Sequence, residues 1–363
     1  MSKLEIISSE NSKHDLLSLG AIVVRLDPGT VPFSMADSYK IHVSGGEYNV
    51  AANLSACFKL RTAIAGAMVD GLPLAEKVKN VIRESGVHPY YVHFTHDGVR
   101  GPNIAQVWSD CGYGIRPPVV FYNRANEAAG LLNKDSFEWE NIFKNGIRWF
   151  HSGGIFSSLS ESTPEVILEA MKTARKNGAV TSFDLNYRAK LWSACGGIKK
   201  AQAVLSSIVE YTDFLVGNEE DLQLGLGIDQ PEDQKNRGEL DPETFLEMIK
   251  TVKERFPNIK AVATTLRKVH SANRHSWSAV LWYDGQSYKA PVCDIDVYDR
   301  VGGGDGFASG LFYGFLTGRP PQESLMLGWA HGALVATYPG DTSMADLRTV
   351  EDIAKGGSAR IQR

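Results

Sequence analysis

Residues 297–312 read VYDRVGGGDGFASGLF. Gly302, Gly303 and Gly304 run directly into Asp305, and the small and apolar residues that follow predict a helix. Glycines let backbone N–H groups approach an anion closely, and a helix N-terminus favours the same anion through its dipole. A carboxylate beside that anion site is suited to activate a hydroxyl during phosphoryl transfer. An isolated glycine motif also fits a plain turn with Asp305 as the helix cap, so both interpretations stay open at this point.

The bulk composition narrows the class of protein. The 363 residues are 43% hydrophobic and 22% charged, as in an ordinary folded protein. The 42 acidic residues exceed the 38 basic ones, which argues against a nucleic-acid partner. No apolar run reaches the roughly 18 residues that a membrane span requires, and the N-terminus lacks the apolar core of a signal peptide. Four scattered cysteines without a C-x-x-C pair fit a reducing compartment, and we expect a cytoplasmic protein.

Strand and helix patterns alternate along most of the chain. Residues 15–25 form an apolar run typical of a first buried strand, and 179–186 and 213–218 are further short strands. Residues 242–255 have the apolar spacing of a helix. This alternation predicts a three-layer α/β fold with a mostly parallel central sheet flanked by helices. The stretch 229–240 is predicted to be a polar surface loop.

Two segments depart from this alternation. Residues 38–43 alternate between apolar and polar positions as an exposed strand does, and 99–122 indicate a hairpin that turns at SDCGYG. Together they predict a small β-sheet lid, built from about residues 26–44 and 99–122 and inserted in a single domain of residues 1–363. Because the edges of such a sheet expose unpaired backbone groups, we expect a homo-oligomer, formed as a dimer through the lid.

Polar side chains cluster where one of the predicted strands ends. In SFDLNYR (182–188), Asp184, Asn186 and Arg188 alternate at the carboxyl end of a strand, the edge at which parallel sheets bind ligands. Arg188 offers the forked donors that match a carboxylate. A solvated strand end explains the same pattern equally well, and the residues alone do not choose between the two.

Further candidates for anion and metal binding lie on either side of this stretch. Arg124 lies near Tyr122 in FYNRAN (121–126), and two arginines suggest an anionic substrate, although each alone fits a surface ion pair. In VGNEEDL (216–222) a predicted strand is followed by Asn218 and then by three acids. These acids either complement the dipole of a helix N-terminus or, with Asn218, orient the waters of Mg²⁺ around phosphates.

Several common enzyme motifs are absent from the sequence. It contains no G-x-S-x-G, which argues against a hydrolase of that type, and no Walker A motif. No G-x-G-x-x-G follows the first predicted strand, so a dinucleotide-binding fold lacks its marker. The nine histidines show no spacing typical of metal ligands.

Taken in order, these segments resemble the PfkB (ribokinase-like) family of carbohydrate kinases over about residues 15–342. The early G-G-x-x-N-x-A block of that family is similar to GGEYNVA at 45–51, and its late D-T-x-G-A-G-D signature is similar to DRVGGGD at 299–305. The N-x-x-E start of a helix is similar to NEED at 218–221. The resemblance implies a ribokinase-like fold with a small β-sheet lid, and ATP and Mg²⁺ as cofactors.

Finer details resemble the 2-keto-3-deoxygluconate kinases of that family. The segments that carry this resemblance are DRVGGGD, FYNRAN, DLNYRAKLW (184–192), the stretch 265–279 and TYPGDTS (337–343). The resemblance implies ATP-dependent phosphorylation of 2-keto-3-deoxy-D-gluconate at its C6 hydroxyl, giving 2-keto-3-deoxy-6-phosphogluconate. This substrate carries a carboxylate, in agreement with the two arginines. The alternatives are a family kinase for fructose, ribose or 2-keto-3-deoxygalactonate, or a catalytically silent sugar-acid sensor, against which the intact GGGD argues.

The functional positions of the family carry over residue by residue. The resemblance makes Asp305 the catalytic base and makes an anion hole from the amides of Gly302, Gly303 and Gly304. It places the substrate against Gly46, Asn49, Asn103, Tyr122, Arg124 and Arg188. It places ATP along Asn218, Thr265, Arg267 and His331, with Asp221 acting on Mg²⁺ through water.

Three positions depart from the family pattern. Arg300 replaces a threonine of the late signature, Asp221 stands where glutamate is usual, and Arg267 replaces a glycine of the nucleotide loop. These departures leave open how Asp221 acts on Mg²⁺ and how Arg267 contacts ATP. Arg300 has no assigned role at this level.

Overall fold

The computed structural model describes residues 3–230 and 240–357. The strands of this part of the chain are β1 (Leu16–Leu19), β2 (Val23–Asp27), β3 (Lys40–Ser44), β4 (Thr62–Asp70), β5 (His88–Thr95), β6 (Gln106–Ser109), β7 (Val120–Asn123), β8 (Trp149–Gly153), β9 (Val180–Asp184), β10 (Phe214–Val216), β11 (Ala261–Ser271), β12 (Arg274–Tyr283), β13 (Gln286–Lys289) and β14 (Cys293–Asp296). The α-helices are α1 (Gly46–Ala56), α2 (Pro73–Glu84), α3 (Trp139–Phe143), α4 (Thr163–Lys176), α5 (Ala189–Ala194), α6 (Gly197–Val209), α7 (Pro242–Arg255), α8 (Gly303–Leu316), α9 (Pro321–Val335) and α10 (Leu347–Ala354).

Ten of these strands form one large sheet. Its order is β13-β12-β11-β10-β9-β8-β1-β4-β5, with β14 paired to the first half of β12. All neighbours from β5 to β11 run parallel, and β12 is antiparallel to β11, β13 and β14. Parallel neighbours require crossover connections, and the intervening helices supply them. The predicted mostly parallel sheet with flanking helices is therefore confirmed.

The centre of the large sheet is buried on both faces. Leu16, Leu17 and Leu19 of β1 have no exposed surface. Because helices cover both faces, the strands read as short continuous apolar runs rather than as an alternation. The covering face of α4 is equally buried and consists of Val166, Ile167, Ala170, Met171 and Ala174. The polar residues that follow the parallel strands are thus left at the carboxyl edge of the sheet.

The remaining four strands form a small separate sheet in the order β3-β2-β6-β7. The prediction of one strand over residues 15–25 is wrong, because the chain leaves the large sheet after Leu19 and enters the small sheet at Val23. Both halves of the run are apolar and buried, so the pattern gave no sign of the break. As a result, the small sheet begins at residue 23, before the predicted boundary at 26, and it includes the predicted hairpin as β6 and β7.

Buried ion pairs fasten the small sheet to the segments that flank α8 and α9. Arg25 of β2 donates from Nε to Oδ1 of Asp341 at 2.6 Å and from Nη2 to Oδ2 of Asp299. All three side chains are 1% exposed. Asp27, Cys111 and Asp299 also lie close enough together to hold a metal ion, but here the Arg25 guanidinium already supplies a cation to Asp299. The contact fixes β2 against the segment that leads into α8.

Most of the stretch 229–240, predicted to be a polar surface loop, lies outside the described residues. Within the described ranges, no helix combines the length and the apolar character needed to cross a membrane.

Candidate active site

A cavity of about 750 Å³ lies between the carboxyl edge of the large sheet and the small sheet. The small sheet contributes Val23, Val107 and Tyr122, and the loops after β9 and β10 contribute polar residues such as Asn186 and Asn218. The cavity brings together most of the residues predicted from the sequence, namely Gly46, Asn49, Tyr122, Arg124, Arg188, Asn218, Asp221, Thr265, Arg267, Gly302, Gly303, Gly304 and Asp305.

The glycine stretch forms the start of α8 at the wall of this cavity. Gly302 is the N-cap residue and has a φ of +84°, a left-handed conformation that glycine adopts without strain. A Cβ atom there would also collide with the backbone carbonyl oxygen of Asp341. The first N–H groups of a helix lack intrahelical partners. Because Gly302, Gly303 and Gly304 line the cavity, these donors are available to an anion inside it.

Asp305 lies in the first turn of α8, beside these donors. Its Oδ2 atom accepts a hydrogen bond from Nδ2 of Asn49 at 2.7 Å. Burial raises the pKa of the Asp305 carboxyl to about 7; the Asn49 hydrogen bond opposes that rise, and the charges of Glu47 and Asp341 add to it. A carboxyl with a pKa near neutrality, placed next to an anion site, is suited to accept a proton from a hydroxyl.

Arginine side chains line the cavity near Tyr122. Arg124 makes a two-pronged contact from Nη1 to both oxygens of Glu127, at 2.7 and 2.8 Å, and its guanidinium lies 5.6 Å from the centre of the Tyr122 ring. Arg188 is exposed, and its Nη1 atom donates to the backbone oxygen of Tyr187 at 2.9 Å. The two arginines predicted from sequence therefore share one cavity, but only Arg124 is held by a carboxylate.

Arg300, which had no assigned role, lines the same cavity. Its side chain is exposed at the cavity; partial desolvation there lowers the pKa of its guanidinium, and the positive charge of Arg188 lowers it further. Over the described ranges Arg300 forms neither a hydrogen bond nor an ion pair. With Arg124, the guanidinium groups of Arg188 and Arg300 form an arginine wall of the cavity that is suited to an anion. Arg300 lies two residues before the glycine stretch.

The loop after β10 contributes Asn218 to the cavity lining, and strand β11 contributes Thr265 and Arg267. Asn218 and Asp221 are bound to each other reciprocally, since each side chain accepts a hydrogen bond from the backbone N–H of the other at 2.9 Å. The second oxygen of Asp221 accepts from the backbone N–H of Tyr187 at 2.8 Å. Asp221 therefore ties the loop after β9 to the loop after β10, with both oxygens already engaged by the protein.

Two predicted residues, Asn103 and His331, are not among those lining the cavity. The side-chain oxygen of Asn103 accepts from the backbone N–H of Ile104, and its backbone pairs with residues 126 and 128. His331 is fully buried on α9, where its ring nitrogens lie 3.0 Å from Ser309 Oγ and 2.9 Å from Ser343 Oγ. The spacing along the sequence gave no information about which face of α9 His331 occupies.

Two further carboxyl groups line the cavity: Asp184, predicted from the sequence only as part of a polar strand end, and Glu47, which was not predicted. Asp184 ends β9, and burial together with the charges of Asp221 and Asp305 raises its pKa to about 8. Glu47 lies in the first turn of α1, and burial raises its pKa to about 7. The signal that was available for Glu47 is its position inside GGEYNVA, where it is the one charged residue of the motif.

The donor set of the cavity fits a nucleoside triphosphate with its metal ion. The open N–H groups of α8 and the cation Arg267 are suited to phosphate oxygens. Mg²⁺ is usually held by phosphates, waters and one or two carboxylates. Glu219 and Glu220 line the cavity beside Asn218 and could supply such carboxylates.

Comparison with known proteins places the chain among carbohydrate kinases. Residues 13–348 match the model of the pfkB family carbohydrate kinases. The chain is 29% identical over 356 residues to the 2-dehydro-3-deoxygalactonokinase of Haloferax volcanii, covering 96% of this chain and 99% of that protein. The crystal structure of 2-dehydro-3-deoxygluconokinase from Thermotoga maritima matches with a TM-score of 0.85 and 32% identity, covering 94% of this chain and 99% of that one. A structure named ribokinase II from E. coli, in complex with ATP and Mg²⁺, shares the fold with a TM-score of 0.74 at 19% identity, covering 94% and 99% of the two chains.

Proposed function

The chain belongs to the pfkB family of carbohydrate kinases, and we propose that it transfers the γ-phosphoryl group of ATP to the C6 hydroxyl of 2-keto-3-deoxy-D-gluconate. The product is 2-keto-3-deoxy-6-phosphogluconate. The proposal rests on the site geometry and on the similarity to the Thermotoga maritima kinase, whose name gives the same keto acid under its synonym, 2-dehydro-3-deoxygluconate.

The observation that carries the choice of an acidic sugar is the arginine wall. Arg124, Arg188 and Arg300 line one cavity together with Tyr122. A neutral sugar such as fructose or ribose offers these cations no charge, whereas the carboxylate of a keto acid matches a guanidinium fork. We assign the keto-acid end of the substrate to Tyr122, Arg124 and Arg188.

The opposite end of the substrate is assigned to the first turns of α1 and α8. Gly46 and Asn49 would contact sugar hydroxyls, and a Cβ atom on Gly46 would come within 3.5 Å of Oδ1 of Asp305. The missing side chain therefore leaves room for a hydroxyl beside the base. Asp305 would accept the C6 hydroxyl proton as the oxygen attacks the γ-phosphorus.

The N–H groups of Gly302, Gly303 and Gly304 would stabilise the charge on the transferring phosphoryl group. The transition state of this reaction is loose, so positioning and charge stabilisation supply most of the catalysis. Asn218, Thr265 and Arg267 would contact ATP. Mg²⁺ bound to the phosphates supplies further charge neutralisation, with Glu219 and Glu220 as its candidate carboxylates. Asp221 would act on it only through the loop that it holds.

A coupled ADP-release assay tests the proposal. The substrate panel contains 2-keto-3-deoxygluconate, 2-keto-3-deoxygalactonate, fructose and ribose. We expect kcat/KM for the keto acids to exceed that for the neutral sugars by about a hundredfold, the size of a charge-assisted contact. Turnover of fructose or ribose without turnover of either keto acid would overturn it. Binding of a keto acid without ADP release would instead indicate a sugar-acid sensor.

A second candidate substrate is 2-keto-3-deoxygalactonate, which differs at C4. It is favoured by the 29% identity, over nearly the full length of both chains, to the Haloferax volcanii kinase named for that acid. The same panel separates the two acids by the ratio of their kcat/KM values.

A further inference from the structure

Glu47 is held in a cradle at the carboxyl edge of the large sheet. It is 5% exposed and belongs to the first turn of α1. A Cβ atom added to Gly153 would lie only 2.7 Å from Oε1 of Glu47, and a Cβ atom added to Gly20 would collide with Oε2. Gly20 directly follows β1, and Gly153 ends the neighbouring strand β8. Any side chain at either glycine would push the carboxyl group out of this position.

Within the described ranges, no other residue forms a hydrogen bond with the Glu47 carboxyl group. In the described part of the chain, the only hydrogen bond that acts on it comes from its own backbone N–H. Buried polar groups are otherwise almost always satisfied, because an unmet hydrogen bond costs the desolvation of the group. Glu47 lines the cavity. The missing partner is therefore expected to come from a molecule inside the cavity.

The charges around Glu47 indicate which part of that molecule it meets. The Glu47 carboxyl interacts electrostatically with Asp305 and also with Arg124. Asp305 faces the hydroxyl that is phosphorylated, and Arg124 faces the carboxylate in the function proposed above. We therefore place Glu47 between the two ends of the substrate in that function, opposite its middle carbons. In a 2-keto-3-deoxy six-carbon acid, the hydroxyl groups in that region are those on C4 and C5.

We infer that Glu47 determines substrate specificity by accepting a hydrogen bond from a hydroxyl group in the middle of the sugar acid, at C4 or C5. This inference deepens the proposed function and rests on it. A hydroxyl is the natural partner, since it donates to a carboxylate and carries no charge that the neighbouring acids would repel. The carboxyl of Asp184 adds to the negative field at Glu47, which disfavours an anionic group at this point of the substrate. The substrate carboxylate is therefore expected at the arginine wall rather than beside Glu47.

The test is a thermodynamic cycle in which one change is Glu47→Ala and the other is the removal of a single hydroxyl group from the substrate. The substrates are 2-keto-3-deoxygluconate and its 4-deoxy and 5-deoxy analogues, with kcat/KM as the measured quantity. We expect the wild type to lose about ten- to a hundredfold on one of the analogues, the range for a hydrogen bond to a charged group. Glu47→Ala should lose no more than about twofold on that same analogue, because the partner is already gone.

A merely structural role of Glu47 would give a different result. In that case Glu47→Ala and the wild type would lose the same factor on both analogues, and this additivity would overturn the inference. Glu47→Gln, which keeps the shape and one acceptor oxygen, guards against a misfolded alanine variant and should show a smaller but still non-additive effect. Glu161→Ala removes a carboxylate that is 81% exposed and does not line the cavity, and it should leave the cycle as in the wild type.

The same measurements distinguish a wrong substrate assignment from a wrong role of Glu47. If the wild type does not phosphorylate the parent keto acid, the proposed substrate is wrong whatever Glu47 does. The cycle is then run on the sugar that the enzyme does phosphorylate and on its deoxy analogues. Coupling of Glu47 to a middle hydroxyl of that sugar supports the role of Glu47, and additivity throughout rejects it.

Discussion

Nδ2 of Asn49 donates a hydrogen bond to Oδ2 of Asp305 over 2.7 Å, across a separation of 256 positions in the chain. The contact joins the first turn of α1 to the first turn of α8. Asn49 is 2% exposed, and its other amide atom, Oδ1, has no hydrogen-bond partner within the described ranges. The amide is therefore oriented by Asp305, and the ionisation of Asp305 depends on the amide.

Replacing Asn49 by alanine is expected to shift the pH dependence of catalysis. The Asn49 N–H stabilises the ionised carboxylate and lowers the pKa of Asp305, which burial raises to about 7. Without it, the pKa rises further, and the acidic limb of the kcat/KM profile moves to higher pH by about one unit. Asn80→Ala on the exposed face of α2 is the control. An Asn49→Ala profile that coincides with the wild type would show that the contact does not tune the base.

Asp305→Asn is expected to lower kcat by about a thousandfold, because general-base catalysis contributes roughly 10²–10⁴. The binding of ATP and of the keto acid, followed by calorimetry, should change little, since the amide has the same shape. Asp296→Asn, at a side chain that is 83% exposed, provides the matched acid-to-amide control. Full retention of kcat would reject Asp305 as the base.

The two predicted arginines should respond differently to truncation. Arg188 makes its side-chain hydrogen bond to a backbone oxygen, so Arg188→Ala should raise KM for the keto acid with little loss of stability. Arg124 neutralises Glu127, whose carboxyl is 6% exposed. Arg124→Ala should therefore also lower the free energy of unfolding by about 3 kcal/mol, because it leaves a buried carboxylate unpaired.

Kinetics and denaturant unfolding on both variants separate these effects. The double variant Arg124→Ala with Glu127→Ala should regain stability but not KM. If Arg188→Ala leaves KM for the acid unchanged, the arginine wall does not bind the carboxylate.

Arg25 is expected to be the most sensitive position in the attachment of the small sheet. Arg25→Met would leave Asp299 and Asp341 buried without their cation, at a cost of about 3–5 kcal/mol in the free energy of unfolding. Arg274→Met removes an exposed ion pair and should cost less than about 1 kcal/mol. Urea denaturation of both variants gives the comparison. Equal costs would mean that the buried pairs do not stabilise the fold.

We expect a dimer through the small sheet, whose edge strands are β3 and β7. Its outer side carries stacked Trp108 and Phe121, with ring centroids 5.3 Å apart, beside exposed Ile41 and Met35. Light scattering after size exclusion should give twice the chain mass for the wild type and a single chain for Phe121→Glu. Val292→Glu changes an exposed apolar residue outside that sheet and should remain dimeric. A monomeric wild type would contradict the expectation.

The sequence by itself determined the fold class and the start of α8. Buried parallel strands must be apolar and must alternate with helices. A left-handed N-cap position such as 302 requires glycine. Both features can therefore be predicted from short stretches of sequence. The break between β1 and β2 could not be predicted from the sequence, because both halves of the apolar run are buried, one in each sheet. The same holds for His331, whose polar partners on other segments no local pattern records.

Only the tertiary structure decided which charges share the cavity. Arg300 was unexplained in the sequence and faces Arg188 in space, while Glu47 was passed over and occupies the cradle formed by Gly20 and Gly153. Asp221, predicted to act on Mg²⁺, has both oxygens engaged by backbone N–H groups. These relationships join residues from distant segments through the crossovers of the sheet. Electrostatic energy depends on distances in space and on burial, and the sequence order gives neither quantity for residues on distant segments.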